Sequence, residues 1–268
     1  MCAHNWRARR HDPDGPVSAA AFRDDLFAGA VALVVGGTSG IGAAIAEALA
    51  TLGAVVTVTG ATRAEAEAAR GAPNFGGRDA VPLDVRDDAA IRAVIDDLPR
   101  LDMLVNCAGV IRRGEEHDPD VFADVLDINL TGTMRCCAIA RPKLAARAGN
   151  AGGSIVNTAS MLSFQGGGLV PGYSASKGGI AQLTKSLAIA YAEEGIRVNA
   201  IAPGWVKTAL TDPLQNDPQR SAAILARTPL RRWAEPDDVA GAAVFLCSPA
   251  ARFVTGAILP VDGGYLVT

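Results

Sequence analysis

The chain has 268 residues, 49% of them hydrophobic and 29 of them glycine, and a formal net charge of −3. That is enough apolar material for one large buried core in a single α/β domain. The slightly acidic balance excludes a nucleic-acid or anionic-membrane binder held by charge, and no apolar run reaches the length that spans a bilayer.

The first stretch, "MCAHNWRARRHDPDGPVSAA", is basic and then acidic and has no apolar segment. Residues 1–26 therefore read as a flexible arm rather than a secretory signal, with His4 and His11 solvated, and one folded domain is expected over 27–268. "AVALVVGG" (30–37) is a β-branched run closed by glycines, a buried strand. "SGIGAAIAEALATLG" continues as an Ala-rich helix stopped by Gly53. "AVVTVTG" (54–60) predicts a strand and "AEAEAAR" a helix, "DAVPLDV" a strand and "DAAIRAVIDDL" a helix, and "LDMLVNCAG" (101–109) another strand. In "HDPDVFADVLDINLTG", Asp118 and Pro119 are the types expected at an N-cap and first helical position. "GSIVNTAS" predicts a strand, "YSASKGGIAQLTKSLAIAYAEEG" a long helix, "IRVNAIAPG" a strand, "EPDDVAGAAVFLCS" a helix and "GAILPVDGG" a last strand. This alternation predicts a single-domain Rossmann-type, doubly wound parallel sheet of about seven strands with helices on both faces. The five cysteines, odd in number and without CxxC spacing, read as reduced thiols of a cytoplasmic protein, and no metal-ligand spacing is present.

The first strand runs into "GGTSGIG". Gly36, Gly40 and Gly42 suit a tight turn whose backbone approaches a pyrophosphate at the following helix N-terminus. The spacing is GxxxGxG rather than GxGxxG, and small residues packing a helix start would give the same pattern. The second strand ends in Gly60, with no Asp or Glu between Glu47 and Glu65. Nothing there is expected to repel a 2′-phosphate, and Thr59, Thr62 and Arg63 offer hydrogen bonds to one. The cofactor expectation is accordingly NAD or NADP, leaning to NADP. Arg63 reads equally well as a solvated residue at a helix start.

"VPGYSASKGG" places Tyr173 four residues before Lys177, on one helical face. A phenol titrates near ~10 and is a weak acid at neutral pH. A neighbouring ammonium favours the phenolate, and proton transfer works best when the pKa lies near the working pH. A ketone taking up hydride needs a proton for its developing alkoxide, so the pair makes sense beside a nicotinamide.

Around this pair stand "NCAG" (106–109), "INLTG" with Asn129, "IVNTAS" ending at Ser160, and "PG" (203–204). Their order and spacing resemble the short-chain dehydrogenase/reductase family over residues 27–268. The resemblance implies the strand order 3-2-1-4-5-6-7 and assigns four catalytic positions. Tyr173 is the proton donor or acceptor, and Lys177 lowers its pKa and holds the nicotinamide ribose. Ser160 bonds the substrate oxygen, and Asn129 positions a water that links Lys177 to solvent. It implies cofactor contacts from Gly36, Thr38, Ser39, Gly40, Ile41 and Gly42 in the turn, and from Asp84 and Val85 at the adenine. Asn106, Ala108 and Gly109 then line the cofactor, and Pro203, Gly204, Val206 and Thr208 meet the nicotinamide. Val35 departs from the family's usual threonine before the glycines. The resemblance also implies a homotetramer paired through the Ala-rich helices around 119–147 and 173–194.

"NCAGVIRR", "TASMLSFQGG", "RSAAILARTPLRRW" and "VDGGYL" resemble the family's sugar-acid branch. A sugar acid needs a cation for its carboxylate and polar groups for its hydroxyls. Arg112 and Arg113 suit the first, Gln165 the second, and Trp205 is placed on the substrate side. The arginine pair reads equally as a solvated loop or a subunit contact. The expected function is an NAD(P)-dependent oxidoreductase interconverting a secondary alcohol and a ketone on a small-molecule, gluconate-type acid. A 3-oxoacyl-thioester reductase is the alternative on the same chemistry. A non-catalytic dinucleotide-binding protein is the third reading, disfavoured by the intact Ser160, Tyr173 and Lys177.

Overall fold

The computed structural model describes residues 22–72, 75–76, 78–146 and 153–268; the expected arm up to residue 21, with His4 and His11, lies outside the described residues. Seven strands form one parallel sheet in the order β3-β2-β1-β4-β5-β6-β7. They are β1 (Val31–Val35), β2 (Val55–Gly60), β3 (Asp79–Pro82), β4 (Met103–Asn106), β5 (Ser154–Thr158), β6 (Arg197–Pro203) and β7 (Ile258–Val261). The helices are α1 (Gly40–Thr51), α2 (Arg63–Arg70), α3 (Asp88–Asp97), α4 (Pro119–Leu126), α5 (Gly132–Ala145), α6 (Pro171–Ala190), α7 (Asp212–Gln215), α8 (Pro218–Arg227) and α9 (Pro236–Cys247).

Strand β1 shows why the apolar runs are continuous. Ala32 and Val34 point into one core cluster with α1 and α9, while Val31, Leu33 and Val35 point into another with α3, α5 and α6. A strand buried on both faces has no polar alternation to display. Phe22 and Leu26, ahead of β1, pack against the first cluster. Parallel register leaves Val35 beside Asn106, and Asn106 beside Asn157, so the carboxyl ends of β1, β4 and β5 lie side by side. Ligands of open α/β sheets bind at this edge.

Two features depart from the sequence reading. The expected helix around 119–147 is divided, because Asp127–Thr131 forms a π-turn between α4 and α5. Such turns are frequent at functional sites, and this one contains Asn129. Helices α7 and α8, between β6 and α9, were not read from the sequence, although Asp217 caps α8 ahead of Pro218 just as Asp118 caps α4 ahead of Pro119. Among the described residues, no helix is long and apolar enough to cross a membrane, and no group of His, Cys, Asp and Glu is placed to hold a metal.

Candidate active site

The turn after β1 is held by the neighbouring strands. Gly36 has φ +76° and donates its N–H to Thr59 Oγ1 at 3.2 Å. A side chain on Gly42 would put its Cβ 2.1 Å from the Gly36 carbonyl, so the turn closes only around glycine. Ser39 begins α1 without capping it through its side chain, and the first turn of α1 has no acidic residue. The helix start therefore leaves N–H groups and a positive end for an anion. Thr208 reaches this turn, its Cγ2 lying 3.2 Å from where a Gly40 Cβ would be. Ile41 packs partly against the core, and Val206 is 2% exposed within it, so both offer backbone rather than side chain. These features fit a dinucleotide pyrophosphate.

Further along the edge, Ala108 packs its backbone against Gly36. Asn106 is 4% exposed and donates to Asn157 Oδ1 at 2.9 Å, which makes it an anchor between β4 and β5. Asp84 is engaged by Arg86 through Nη2 at 2.8 Å, and these hydrogen bonds hold its carboxyl below the usual range. Val85 is buried against Gly132. Gly204 closes onto β7, donating to Val261 O at 3.0 Å, just after Pro203 ends β6.

The end of β2 is bounded by two threonines and a carboxylate from the next helix. Thr59 is 1% exposed with its hydroxyl accepting from Gly36 N, and Thr62 caps α2 by accepting from Glu65 N, so each hydroxyl oxygen is engaged by a backbone N–H. A carboxylate is present after all: Glu65 Oε2 accepts from Ala61 N at 2.8 Å. It reaches back from the first turn of α2 to the strand end. A Cβ on Gly60 would sit 2.9 Å from Glu65 Cβ and 3.0 Å from Thr38 Cγ2, so the acid comes from the helix instead of the strand. A like charge here opposes a 2′-phosphate by about 1–2 kcal/mol in a screened, exposed setting. Glu65→Gln is therefore expected to raise the affinity for NADP(H) relative to NAD(H) by roughly 5- to 30-fold. Titrating both dinucleotides at fixed ionic strength checks it.

Asn129, Ser160, Tyr173 and Lys177 converge. Asn129, fully buried in the π-turn, accepts from Val110 N at 2.8 Å and donates to Val110 O at 2.9 Å and Ser176 Oγ at 3.1 Å. A Cβ on Gly109 would meet Asn129 Oδ1 at 3.3 Å and Lys177 Nζ at 3.8 Å, which places all three together. Ser160 follows β5 and hydrogen-bonds the Tyr173 phenol. Ser163 Oγ donates to the Lys177 carbonyl at 2.6 Å and so ties the Ser160 turn to α6.

The electrostatics are not those expected from the Tyr–Lys spacing. Burial pushes the Tyr173 phenol up to about 12; the Ser160 hydrogen bond and the charge of Arg113 pull it down, and Glu116 holds it up. Lys177 Nζ lies 5.4 Å from the phenol ring centroid and donates to Thr158 O at 2.6 Å. The lysine is 3% exposed, and burial lowers it to about 8. Desolvation of the phenol, rather than the ammonium one turn away, dominates.

The substrate candidates separate. Arg113 is half-buried and bears on the phenol, whereas Arg112 is exposed and contributes its backbone N–H to Glu116. Gln165 accepts from Arg227 at 3.5 Å. Arg227 in turn donates to the Tyr265 hydroxyl at 3.1 Å and stacks on its ring, while Trp205 meets Trp233 and Tyr265 edge-on at 5.9 and 6.2 Å. Sequence reasoning missed Arg227, Tyr265, Glu65 and Glu116. For Arg227 the missed signal was α8 itself, read as a motif but not as a helix.

Comparison with known proteins adds three relatives. A family model described as enoyl-(acyl carrier protein) reductase matches residues 35–266. A 2-dehydro-3-deoxy-D-gluconate 5-dehydrogenase of Pseudoalteromonas atlantica is 44% identical over 250 residues, covering 89% of this chain and 96% of that protein. A solved structure from Agrobacterium tumefaciens, described as a 2-deoxy-D-gluconate 3-dehydrogenase with bound NADP, is 42% identical, has a TM-score of 0.83, and covers 92% of this chain and 100% of its own. A gluconate 5-dehydrogenase of Burkholderia cenocepacia, solved with NADP and tartrate, is 34% identical with a TM-score of 0.83, covering 91% and 98%.

Proposed function

The chain belongs to the short-chain dehydrogenase/reductase family, and from that premise we propose that it interconverts a secondary alcohol and a ketone on a gluconate-type sugar acid, using NAD or NADP. The observation that carries the chemistry is the convergence of Ser160, Tyr173 and Lys177 beside the glycine turn. The sugar-acid reading is supported by the two gluconate-type relatives and the gluconate 5-dehydrogenase above. The lean to NADP is supported by the NADP held in both of those solved structures.

The nicotinamide supplies or takes up the hydride at the carbinol carbon. The protein's residues handle the proton and the orientation. With its pKa near about 12 in the cofactor-free protein, the Tyr173 phenol is protonated at neutral pH, the form that donates to a developing alkoxide. Ser160 orients the same oxygen. Lys177 takes its place from the Thr158 carbonyl, and Asn129 fixes the β4 loop across from it through Val110. Arg113 brings a cation to the phenol side of the cleft, where a substrate carboxylate needs one.

The acyl-thioester alternative has the family model's description in its favour. An acidic carrier would need a basic surface, and Arg232, in the stretch "RTPLRRW", is already paired with Asp238 at 2.7 Å. Activity against a panel of sugar acids and β-ketoacyl thioesters, each with NAD(H) and NADP(H), tests the reading. Turnover of a gluconate-type acid is expected, and turnover confined to thioesters overturns it.

The assembly we propose is a homotetramer in the cytoplasm. Ile189 on α6 is 79% exposed and Phe253, in the turn ahead of β7, is fully exposed in the single chain, and large apolar side chains left bare on a surface suit subunit contacts. Sedimentation at micromolar concentration is expected to give a tetramer; a stable monomer contradicts it.

A further inference from the structure

Helix α6 carries Tyr173 and Lys177, yet its own N-terminus has no cap: Val170 occupies the N-cap position and makes no side-chain bond. The cap comes from elsewhere in the chain. Glu116, in the loop after β4, is 1% exposed and accepts from Tyr173 N at 2.7 Å with one oxygen and from Arg112 N at 2.8 Å with the other. Gly172 makes room for it, since a Cβ there would lie 3.3 Å from Glu116 Oε2. The same loop is fastened to the segment before α6 twice more, by Gly114 N donating to Leu169 O at 2.8 Å and His117 Nε2 to Gly168 O at 2.9 Å. A carboxylate buried at a helix N-terminus is stabilised by the helix's positive end and by the N–H groups it receives.

We propose that Glu116 is a positioning residue for the reaction: a buried carboxylate that caps the tyrosine helix from the β4 loop, sets Tyr173 against Ser160, and fixes Arg113 on the phenol side of the cleft. This rests on reading Tyr173 as the proton donor. The tie is specific because both carboxylate oxygens are used, one on each partner segment, over 57 residues of sequence separation. Its charge also faces the phenol. The other groups around that phenol are Lys177 on its own helix, Ser160 after β5, and Arg113 on the β4 loop, with His117 bonded away to Gly168. Burial is the main reason the phenol stays protonated; Arg113 and Ser160 lower its pKa and Glu116 raises it, so the loop places two opposed charges beside the proton donor and Glu116 is the one that adds to the effect of burial.

The test is the pH profile of kcat/KM for wild type, Glu116→Gln and Glu116→Asp, with circular dichroism and dinucleotide binding to establish which variants fold. Removing the charge in Glu116→Gln is expected to move the tyrosine limb down by at least ~0.5 pH unit and to raise KM several-fold as the Arg113 loop loosens. Glu116→Asp withdraws the carboxylate by one methylene and shifts the limb the same way by less. A helix cap of purely structural value lowers the melting temperature without moving the limb. A profile superimposable on wild type in whichever variant folds overturns the proposal. Tyr173→Phe run alongside separates the two readings. If it retains turnover, the Tyr173 assignment has failed; if it is inactive while the Glu116 variants are unshifted, only the Glu116 proposal has.

Discussion

Tyr173→Phe is expected to lose at least ~10²-fold in turnover, the scale of one general acid, while folding and dinucleotide affinity stay close to wild type. Phenylalanine fills the same space and removes only the hydroxyl and its bond to Ser160, a stability cost of about 1 kcal/mol. The phenol is held protonated mainly by burial, and the substitution removes that proton from the site. Steady-state rates and dinucleotide titration on the same preparation check both halves. Near-normal turnover would remove Tyr173 from the mechanism.

Gly36→Ala is expected to be strongly damaging to the cofactor half. Gly36 has φ +76°, a conformation that costs an alanine roughly 1–2 kcal/mol. The added Cβ would lie 2.5 Å from Ala108 N and 2.7 Å from Ala108 Cα, both backbone atoms that have no rotamer to yield. Overpacking of this kind adds about 1–3 kcal/mol. A total of about 2–5 kcal/mol is a large share of the ~5–15 kcal/mol that holds a domain folded. The turn must also move away from the pyrophosphate position. Denaturant unfolding and dinucleotide titration are expected to show loss of stability together with loss of binding. Gly166→Ala is the control: nothing lies within 4 Å of its Cβ, and its effect is expected to stay within about 0.5 kcal/mol.

The strands were legible because a parallel sheet covered on both faces favours apolar runs, and β1 and the first three residues of β4 supply them without interruption. The helix starts at α4 and α9 were legible from proline and its neighbours, and the four proposed catalytic residues from their order. What was not legible depends on contacts made after folding. The π-turn at Asp127–Thr131 has helical residues throughout, and its bulge follows from Asn129 turning inward to Val110 and Ser176. The carboxylate at the end of β2 belongs to a residue five positions past Gly60, and its direction is set by the Ala61 N–H. Arg112 and Arg113 are indistinguishable as letters; the folded loop leaves Arg112 exposed with its N–H on Glu116 and brings the charge of Arg113 to bear on the phenol. Spacing likewise reveals the charge of Lys177 near Tyr173 but not the burial that raises the phenol in the cofactor-free protein.

The central claim is that this site moves hydride between a nicotinamide and the carbinol carbon of a sugar acid, with Tyr173 handling the proton. Reduction of a ketogluconate-type acid with nicotinamide cofactor deuterated at the transferring position tests it most directly, with product read by mass spectrometry and NMR. The account predicts one deuterium per turnover, on the carbon that was the ketone, in wild type, and the same label accumulating at least ~10²-fold more slowly with Tyr173→Phe. Consumption of the cofactor without deuterium at that carbon, or an equal rate of incorporation by the mutant, would contradict it.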